Sequence, residues 1–500
     1  MIGRTGILAL LAGLALAGPA AASPVLHVEG GEVRRVEDPF LPARAASDLP
    51  GIDPARAPAP ASATARAAAV RGPSVRRIRR EERLAGRLPQ ADHDRYRSLY
   101  DASRAAVRRL PGRRRVELGA ALAQVERLAG ARRLSVDRMG PVFLTLRRNA
   151  DLWRFRSLPA PGARLVYGSS AVVFQYYAGR GIHIQPLANF GKANALANAC
   201  LNQDTRPGTP CRREALRALL DELSVLAIDR GGWAAWEYYF PFGGGAPPWV
   251  SGIAQGTGIQ AFTRGAALLA NPAYLEIARS AVGGLEASAP SGVRVGAEGG
   301  DHFLLYSFNP GLRVLNGHLQ AVIGLHDFAQ ASQEPRALAL LASGEAAARA
   351  AVPRHDTGAW SLYAYPGRES DLGYHRLVRD FLRGLCERTA QPVYCAATQR
   401  FTTYLYQEPR LEPLPIGRAR ARAWVRVPFR LSKISRVSFG VRHGRRLVAA
   451  QRTTVPYGVR SFGWRPARPG RYRVRLEAAD LRNHHVVRYA TVTVGRARRR

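Results

Sequence analysis

Four tyrosines recur where amphipathic helical patterns begin or end: Tyr306, Tyr363, Tyr365 and Tyr374. A phenol both donates and accepts a hydrogen bond, and its pKa of about 10 falls beside a cation. It can therefore serve either side of a proton transfer. Arginine complements it, because the guanidinium fork pairs with both oxygens of a carboxylate. Together these groups suit removal of a proton from a carbon beside a carboxylate. Such a proton is only weakly acidic. Its removal needs a base on one face and stabilisation of enolate-like charge, and inversion also needs an acid on the opposite face.

Other residues bound the chemistry. Asp301, Glu369 and Asp371 permit a glycosidase-like carboxylate pair, but nothing in the sequence fixes their separation. Gly243-Gly-Gly245 is a flexible loop and not a phosphate cradle, since no Lys-Ser/Thr follows it. Four cysteines form two close pairs, Cys200/Cys211 and Cys386/Cys395. Outside the cytosol, close even pairs indicate local disulfides. No Cys-x-x-Cys or clustered Cys/His spacing occurs, so no metal site is expected.

The elements that must position these residues are mostly helical. Segments near 188–199, 213–229, 256–270, 272–284, 314–332, 336–352, 372–388 and 392–406 carry apolar residues at three- and four-residue spacing. Many such helices joined by Gly/Pro/aromatic loops fit an α/α toroid over 188–410, whose loops at one end build a cleft. Before it, 86–187 reads as a helical hairpin around Pro111-Gly112 followed by a small β region, with strands near 142–146, 164–167 and 171–177. From about Arg418 the apolar period changes to two, which predicts an Ig-like β-sandwich over 418–497. The expected fold class is thus mainly α with β additions.

The first 23 residues have a basic start, an apolar run and small residues, the pattern of a signal peptide. Residues 24–85 have the Ala/Pro/Arg composition of a disordered linker. No later stretch approaches the ~20 apolar residues of a membrane span. A soluble protein, secreted or held in the cell envelope, is expected. The formal charge is +37, and all basic residues except Lys192 and Lys433 are arginine. That bias matches a GC-rich genome, yet the charge still draws polyanions. An acidic polysaccharide is the expected partner, anionic envelope polymers are the alternative, and export argues against nucleic acid.

Four stretches carry a family resemblance. Pro248-Trp-Val-Ser-Gly-Ile-Ala-Gln-Gly-Thr-Gly258 resembles a W-x-S-x-x-A-Q-G motif. Leu315-Asn-Gly-His-Leu-Gln-Ala-Val-Ile-Gly-Leu-His-Asp327 resembles an L-N-G-F-x-x-x-L-I-G-L-Y-D helix. Thr357-Gly-Ala-Trp-Ser-Leu-Tyr363 and Tyr374-His375 match a T-G-x-x-x-x-Y motif and a Y-H pair. With Phe174–Asn194 upstream, these resemble the C-terminal helical domain of the D-glucuronyl C5-epimerase family, in a secreted bacterial form.

The resemblance implies C5 epimerisation of uronic acid residues, glucuronate to iduronate, in an acidic polysaccharide without a cofactor. It implies Tyr306, Tyr363 and Tyr374 as catalytic residues. Trp249, Gln255, Asn316, Arg368, His375 and Tyr177 are the expected substrate contacts, with Arg368 standing in for a family arginine whose place is taken by Pro366. The chain also departs from the family at Leu305, where animal members have a carboxylate, and at Val378, where the second histidine of Y-H-x-x-H falls. Two rivals share parts of this pattern. A polysaccharide lyase abstracts the same C5 proton and then eliminates the C4 substituent. A glycan-binding envelope protein keeps the fold and lacks catalysis.

Overall fold

The computed structural model describes residues 23–42, 72–154, 158–201 and 209–496. All of the expected signal peptide but its last residue, Ser23, and the Ala/Pro/Arg tract over 43–71 lie outside them. The flanks of the expected linker are ordered elements. Strands β1 (Ser23–Glu29) and β2 (Glu32–Asp38) form an antiparallel hairpin, turned by Gly30 and Gly31 at φ 57° and 90°. Valines at 25, 28, 33 and 36 supply the β-branched pattern that averaged composition hides. Strand β1 then pairs in parallel with β3 (Arg164–Tyr167), followed by β4 (Phe174–Tyr177) and β5 (Gly181–Ile184). The sheet order is β2-β1-β3-β4-β5.

Helices α1 (Val75–Leu84), α2 (Gln90–Arg109), α3 (Gly112–Gly130) and α4 (Val136–Leu152) fill the stretch before β3. The strand expected at 142–146 is instead the middle of α4. Met139, Val142, Phe143, Leu146 and Ala150 are buried there at helical spacing. A five-residue apolar run reads equally as strand or helix, and the longer flanking pattern decides.

The next elements are α5 (Pro186–Cys200), α6 (Arg213–Val225), the short pair β6 (Ile228–Asp229) and β7 (Ala234–Ala235), α7 (Gly252–Leu268) and α8 (Pro272–Glu286). They are followed by the hairpin β8 (Arg294–Ala297) and β9 (Gly300–Phe303), then α9 (Leu315–Ser332), α10 (Pro335–Ala351), α11 (Leu372–Thr389) and α12 (Pro392–Tyr404). Proline opens α5, α8, α10 and α12, where its missing N–H costs nothing. Helices α5, α7, α9 and α11 pack side by side, and α6, α8, α10 and α12 each back their predecessor. Disulfides Cys200–Cys211 and Cys386–Cys395 join α5 to the start of α6 and α11 to α12, with Cα separations of 4.3 and 4.9 Å.

Helices α7 and α9 meet backbone to backbone. A Cβ on Gly324 would stand 1.9 Å from the Gly256 carbonyl oxygen, and one on Gly256 would stand 2.4 Å from the Ala321 Cα. Backbone cannot step aside as a flexible side chain can. Gly324→Ala should therefore cost about 3 kcal/mol of stability. Denaturant unfolding would check this, and an unchanged midpoint would mean the crossing is looser than described.

The C-terminal region is sheet, as the change of period predicts. It comprises β10 (Leu411–Pro413), β11 (Ala419–Arg420), β12 (Val425–Leu431), β13 (Ser435–His443), β14 (Arg446–Val455), β15 (Gly458–Trp464), β16 (Gly470–Asp480) and β17 (His485–Gly495). One sheet runs β10-β12-β15 and the other β11-β17-β16-β13-β14. Phe429, Phe439, Phe462, Trp464, Val474 and Leu476 share the core of this region.

A polar joint ties helices to sheets. The Glu369 carboxylate accepts from the Ile434 and Tyr457 N–H groups at 2.7 and 2.8 Å. Lys433, 1% exposed, donates to the Tyr404 carbonyl at 2.9 Å and pairs with Asp480 at 3.0 Å. Its ammonium also lies 5.4 Å from the Trp360 ring centroid.

Candidate active site

Three separate segments bring the tyrosines into one aromatic cluster. Tyr306 follows β9, Tyr363 lies on the loop between α10 and α11, and Tyr374 sits in the first turn of α11. Each is held by local chemistry. Asp371 caps α11 by accepting from the Tyr374 N–H at 2.8 Å. Gly358, at φ 78°, makes the turn in which Thr357 and Trp360 bond reciprocally at 2.9 Å, which explains the T-G pair of the motif. Beyond it, the Tyr363 N–H donates to the Arg368 carbonyl at 2.8 Å and the Tyr363 carbonyl accepts from Leu315 at 3.4 Å. The loop is thereby fastened to the start of α9.

The Tyr363 and Tyr374 rings meet edge-on at 5.1 Å. Tyr306 stacks on Phe308 at 5.6 Å and meets Phe242 edge-on at 4.9 Å. Its hydroxyl and that of Tyr363 act on each other electrostatically, and the buried Tyr363 hydroxyl has no hydrogen-bond partner among the described residues. The Arg368 guanidinium carbon lies 5.1 Å from the Tyr363 ring centroid, on an otherwise exposed side chain.

A cation beside a phenol was expected to lower its pKa. Burial wins instead. It raises Tyr306 well above 10, with Tyr363 and Tyr374 adding to the effect. It raises Tyr363 too, against the opposing pull of the neighbouring Tyr306 hydroxyl and of Arg368. Both phenols are neutral proton donors in the free protein at neutral pH.

The expected substrate contacts divide. Tyr177 joins the cluster, its hydroxyl accepting from the Gln185 amide at 2.9 Å. Asn316 is buried in the first turn of α9, one residue from the backbone contact to Tyr363, and its Oδ1 has no partner among the described residues. Trp249 is in the cluster but only 1% exposed, stacked on Tyr238 at 4.2 Å with its indole N–H on the Phe240 carbonyl. It packs the wall and offers no face to a sugar. Gln255 donates to the Ala234 and Ala281 carbonyls and is 2% exposed, so it holds α7 to its neighbours.

His375 is also structural. It is fully buried against Trp360, with ring centroids 3.7 Å apart. Its Nε2 lies 2.9 Å from the Phe401 carbonyl, so Nε2–H donates and Nδ1 accepts from the Ser361 hydroxyl at 2.8 Å. Burial pushes its pKa down to about 4. An unfolded imidazole takes its proton near 6.5. Above that pH the group is neutral in both states. Below it only the unfolded chain gains the proton, so stability falls between pH 6.5 and 4, by about 3 kcal/mol at the lower end. Denaturant titrations across this window should show the loss, and His375→Phe should reduce its slope, the remainder coming from the similarly buried His183, His302, His318 and His355. Identical slopes in both proteins would refute the assignment.

The carboxylates do not form a pair. Asp301 accepts from Ser343, Glu369 serves the joint and Asp371 caps α11. Among the described residues, no group of three His, Cys, Asp or Glu side chains is placed to hold a metal, and no helix is long and apolar enough to cross a membrane. The reading from sequence overlooked Tyr238, Phe240 and Phe242, which build one wall of the cluster, and Gln185, which accepts from Tyr238 at 3.1 Å. The aromatic run Tyr238-Tyr-Phe-Pro-Phe242 is the signal that marks them. Arg180, whose charge acts on Tyr177, is a guanidinium that was also overlooked.

Residues 230–403 match the family described as D-glucuronyl C5-epimerase C-terminus. The D-glucuronyl C5-epimerase of Caenorhabditis elegans is 30% identical over 170 residues, covering 30% of this chain and 27% of the worm protein. The match thus spans little more than a quarter of that relative. Solved structures with similarity include a GH76 α-mannanase of Bacteroides thetaiotaomicron, at TM-score 0.34 and 10% identity over 45% of this chain and 58% of that one. Cellobiose 2-epimerase of Bacillus thermoamylovorans matches at TM-score 0.29 and 10% identity over 45% and 61%. A D-mannose isomerase matches at TM-score 0.30 and 10% identity over 58% and 76%. The resemblance to the C5-epimerase family covers the α7–α12 region and both loops that carry Tyr306 and Tyr363.

Proposed function

We propose that this protein inverts C5 of uronic acid residues, glucuronate to iduronate, in an acidic polysaccharide. The carrying observation is the convergence of Tyr306, Tyr363 and Tyr374 from three segments beside Arg368. In this reading the α5–α12 helices form a toroid, the loops around 300–315 and 357–371 form its working end, and the C-terminal sheets are an Ig-like unit. Two disulfides fit an exported protein.

The uronate carboxylate enters against Arg368, beside Tyr306 and Tyr363. One phenolate takes the C5 proton while the C5 electron pair moves into the carboxylate as an enolate. The guanidinium stabilises that charge. A neutral phenol on the other face returns a proton to C5, and the first phenol is left protonated. No bond to the neighbouring sugar breaks. The raised phenol pKa values suit the donor, and the charge of Arg368 favours the phenolate partner.

Incubation of the purified protein with a glucuronate polymer in heavy water tests this. Deuterium at C5 in intact chains is the expected result. An unsaturated uronate absorbance would mean β-elimination and a lyase. Glycan binding with no exchange would mean a non-catalytic envelope protein.

A further inference from the structure

The C-terminal sheet region carries more charge than composition explains. Residues 418–496 hold nineteen arginines and Lys433 against two acids, Glu477 and Asp480, a formal +18. These 79 residues are under a sixth of the chain, and all the rest carries +19. A genome that favours arginine raises it everywhere, but does not remove acids from one region. Both acids are already engaged, Asp480 by Lys433 at 3.0 Å and Glu477 by Arg475 at 2.7 Å.

The geometry gathers the excess on one face. Along β16, Arg471, Arg473 and Arg475 point to solvent between the buried Tyr472, Val474 and Leu476. Same-face residues on a strand repeat at about 6.8 Å. Arg442 of β13 is the direct cross-strand partner of Arg473, whose other neighbour is Thr491 of β17. Like charges placed opposite one another destabilise a sheet, and the acids that could relieve this pair are engaged elsewhere. Tyr489, partner of Arg475, is 53% exposed, and the Arg473 guanidinium carbon lies 4.3 Å from its ring centroid. A shallow groove of about 320 Å³ lies between Arg442, Arg471, Arg473, Tyr489 and Thr491.

We propose that this outer face of the five-stranded sheet is an anchoring site for an acidic polysaccharide chain, separate from the tyrosine cluster. The guanidinium forks take carboxylate or sulfate groups, and the Tyr489 ring carries the apolar face of a sugar. The choice of polysaccharide over other polyanions rests on the C5-epimerase reading.

The test measures binding of a fluorescent hyaluronan fragment to the full chain at several salt concentrations. The triple variant R442A/R471A/R473A should bind at least tenfold more weakly, with a shallower salt dependence. The triple R104A/R108A/R109A, exposed on α2 and equal in charge lost, should change affinity less than twofold. Tyr489→Ala should weaken binding several-fold and leave the salt slope unchanged. Melting curves confirm that each variant folds. Equal losses in both triples would assign the affinity to net charge and overturn the proposal, as would no loss in the first. A single-stranded DNA oligonucleotide of equal charge that binds this face more tightly than the glycan would assign it to nucleic acid. Absent C5 exchange with face-dependent glycan binding intact would remove the enzymatic reading and leave the anchoring site standing.

Discussion

Tyr363→Phe and Tyr374→Phe should each slow C5 deuterium exchange by roughly 10²–10⁴, the range for losing one acid or base. Phenylalanine keeps the ring, so the edge-on contact at 5.1 Å and the packing of the cluster survive. Glycan binding and melting temperature should stay near wild type. The pH dependence separates chemistry from packing. Burial raises the Tyr363 phenol above its ordinary value, so the phenolate is scarce at neutral pH and grows as pH rises. Wild-type exchange should therefore climb from pH 6 to 9, and Arg368→Ala should slow it further, because that guanidinium favours the phenolate. Wild-type rates in both Phe variants would end the two-tyrosine mechanism. His375 could not replace it, since both its ring nitrogens are engaged.

Lys433→Met should cost about 3–5 kcal/mol, the usual result of removing one member of a buried ion pair. Asp480 is 5% exposed and its carboxylate would lose the ammonium at 3.0 Å, while the Tyr404 carbonyl would lose its donor. The effect should extend beyond the pair. Lys433 faces Trp360, Trp360 stacks on His375, and His375 stands next to Tyr374. A double-mutant cycle with Asp480→Asn measures the coupling. Additive losses would show that Lys433 serves the carbonyls and not the carboxylate.

The legible parts of this molecule are those where the pattern is long. Eight helical segments and the switch to period two near Arg418 stand out because each repeats its rule over many residues. Motif spacing identified the three tyrosines that the fold then clusters. What was hidden follows from short or averaged signals. The β1–β2 hairpin sits beside an Ala/Pro/Arg tract whose composition swamps it. Val142–Leu146 has no local feature that separates strand from helix. Strand β14 is exposed along most of its length and shows no alternation. At the site, residue type could not tell cleft from wall. Trp249, Gln255 and His375 lie in matched motifs because the fold needs them, and only their hydrogen bonds reveal it.

The two lysines have a practical consequence. Lys192 pairs with Asp38 at 2.9 Å with its side chain 15% exposed, and Lys433 is sealed in the joint. In this chain lysine stands only where a compact ammonium fits a closed space, and arginine covers the surface. Amine-directed reagents, whether acylating esters, aldehydes or lysine cross-linkers, therefore meet almost no side-chain target on the folded protein. Acylation of Lys433 becomes a clock for a single event, the opening of helices from sheets. Mass spectrometry of one peptide reads that rate directly.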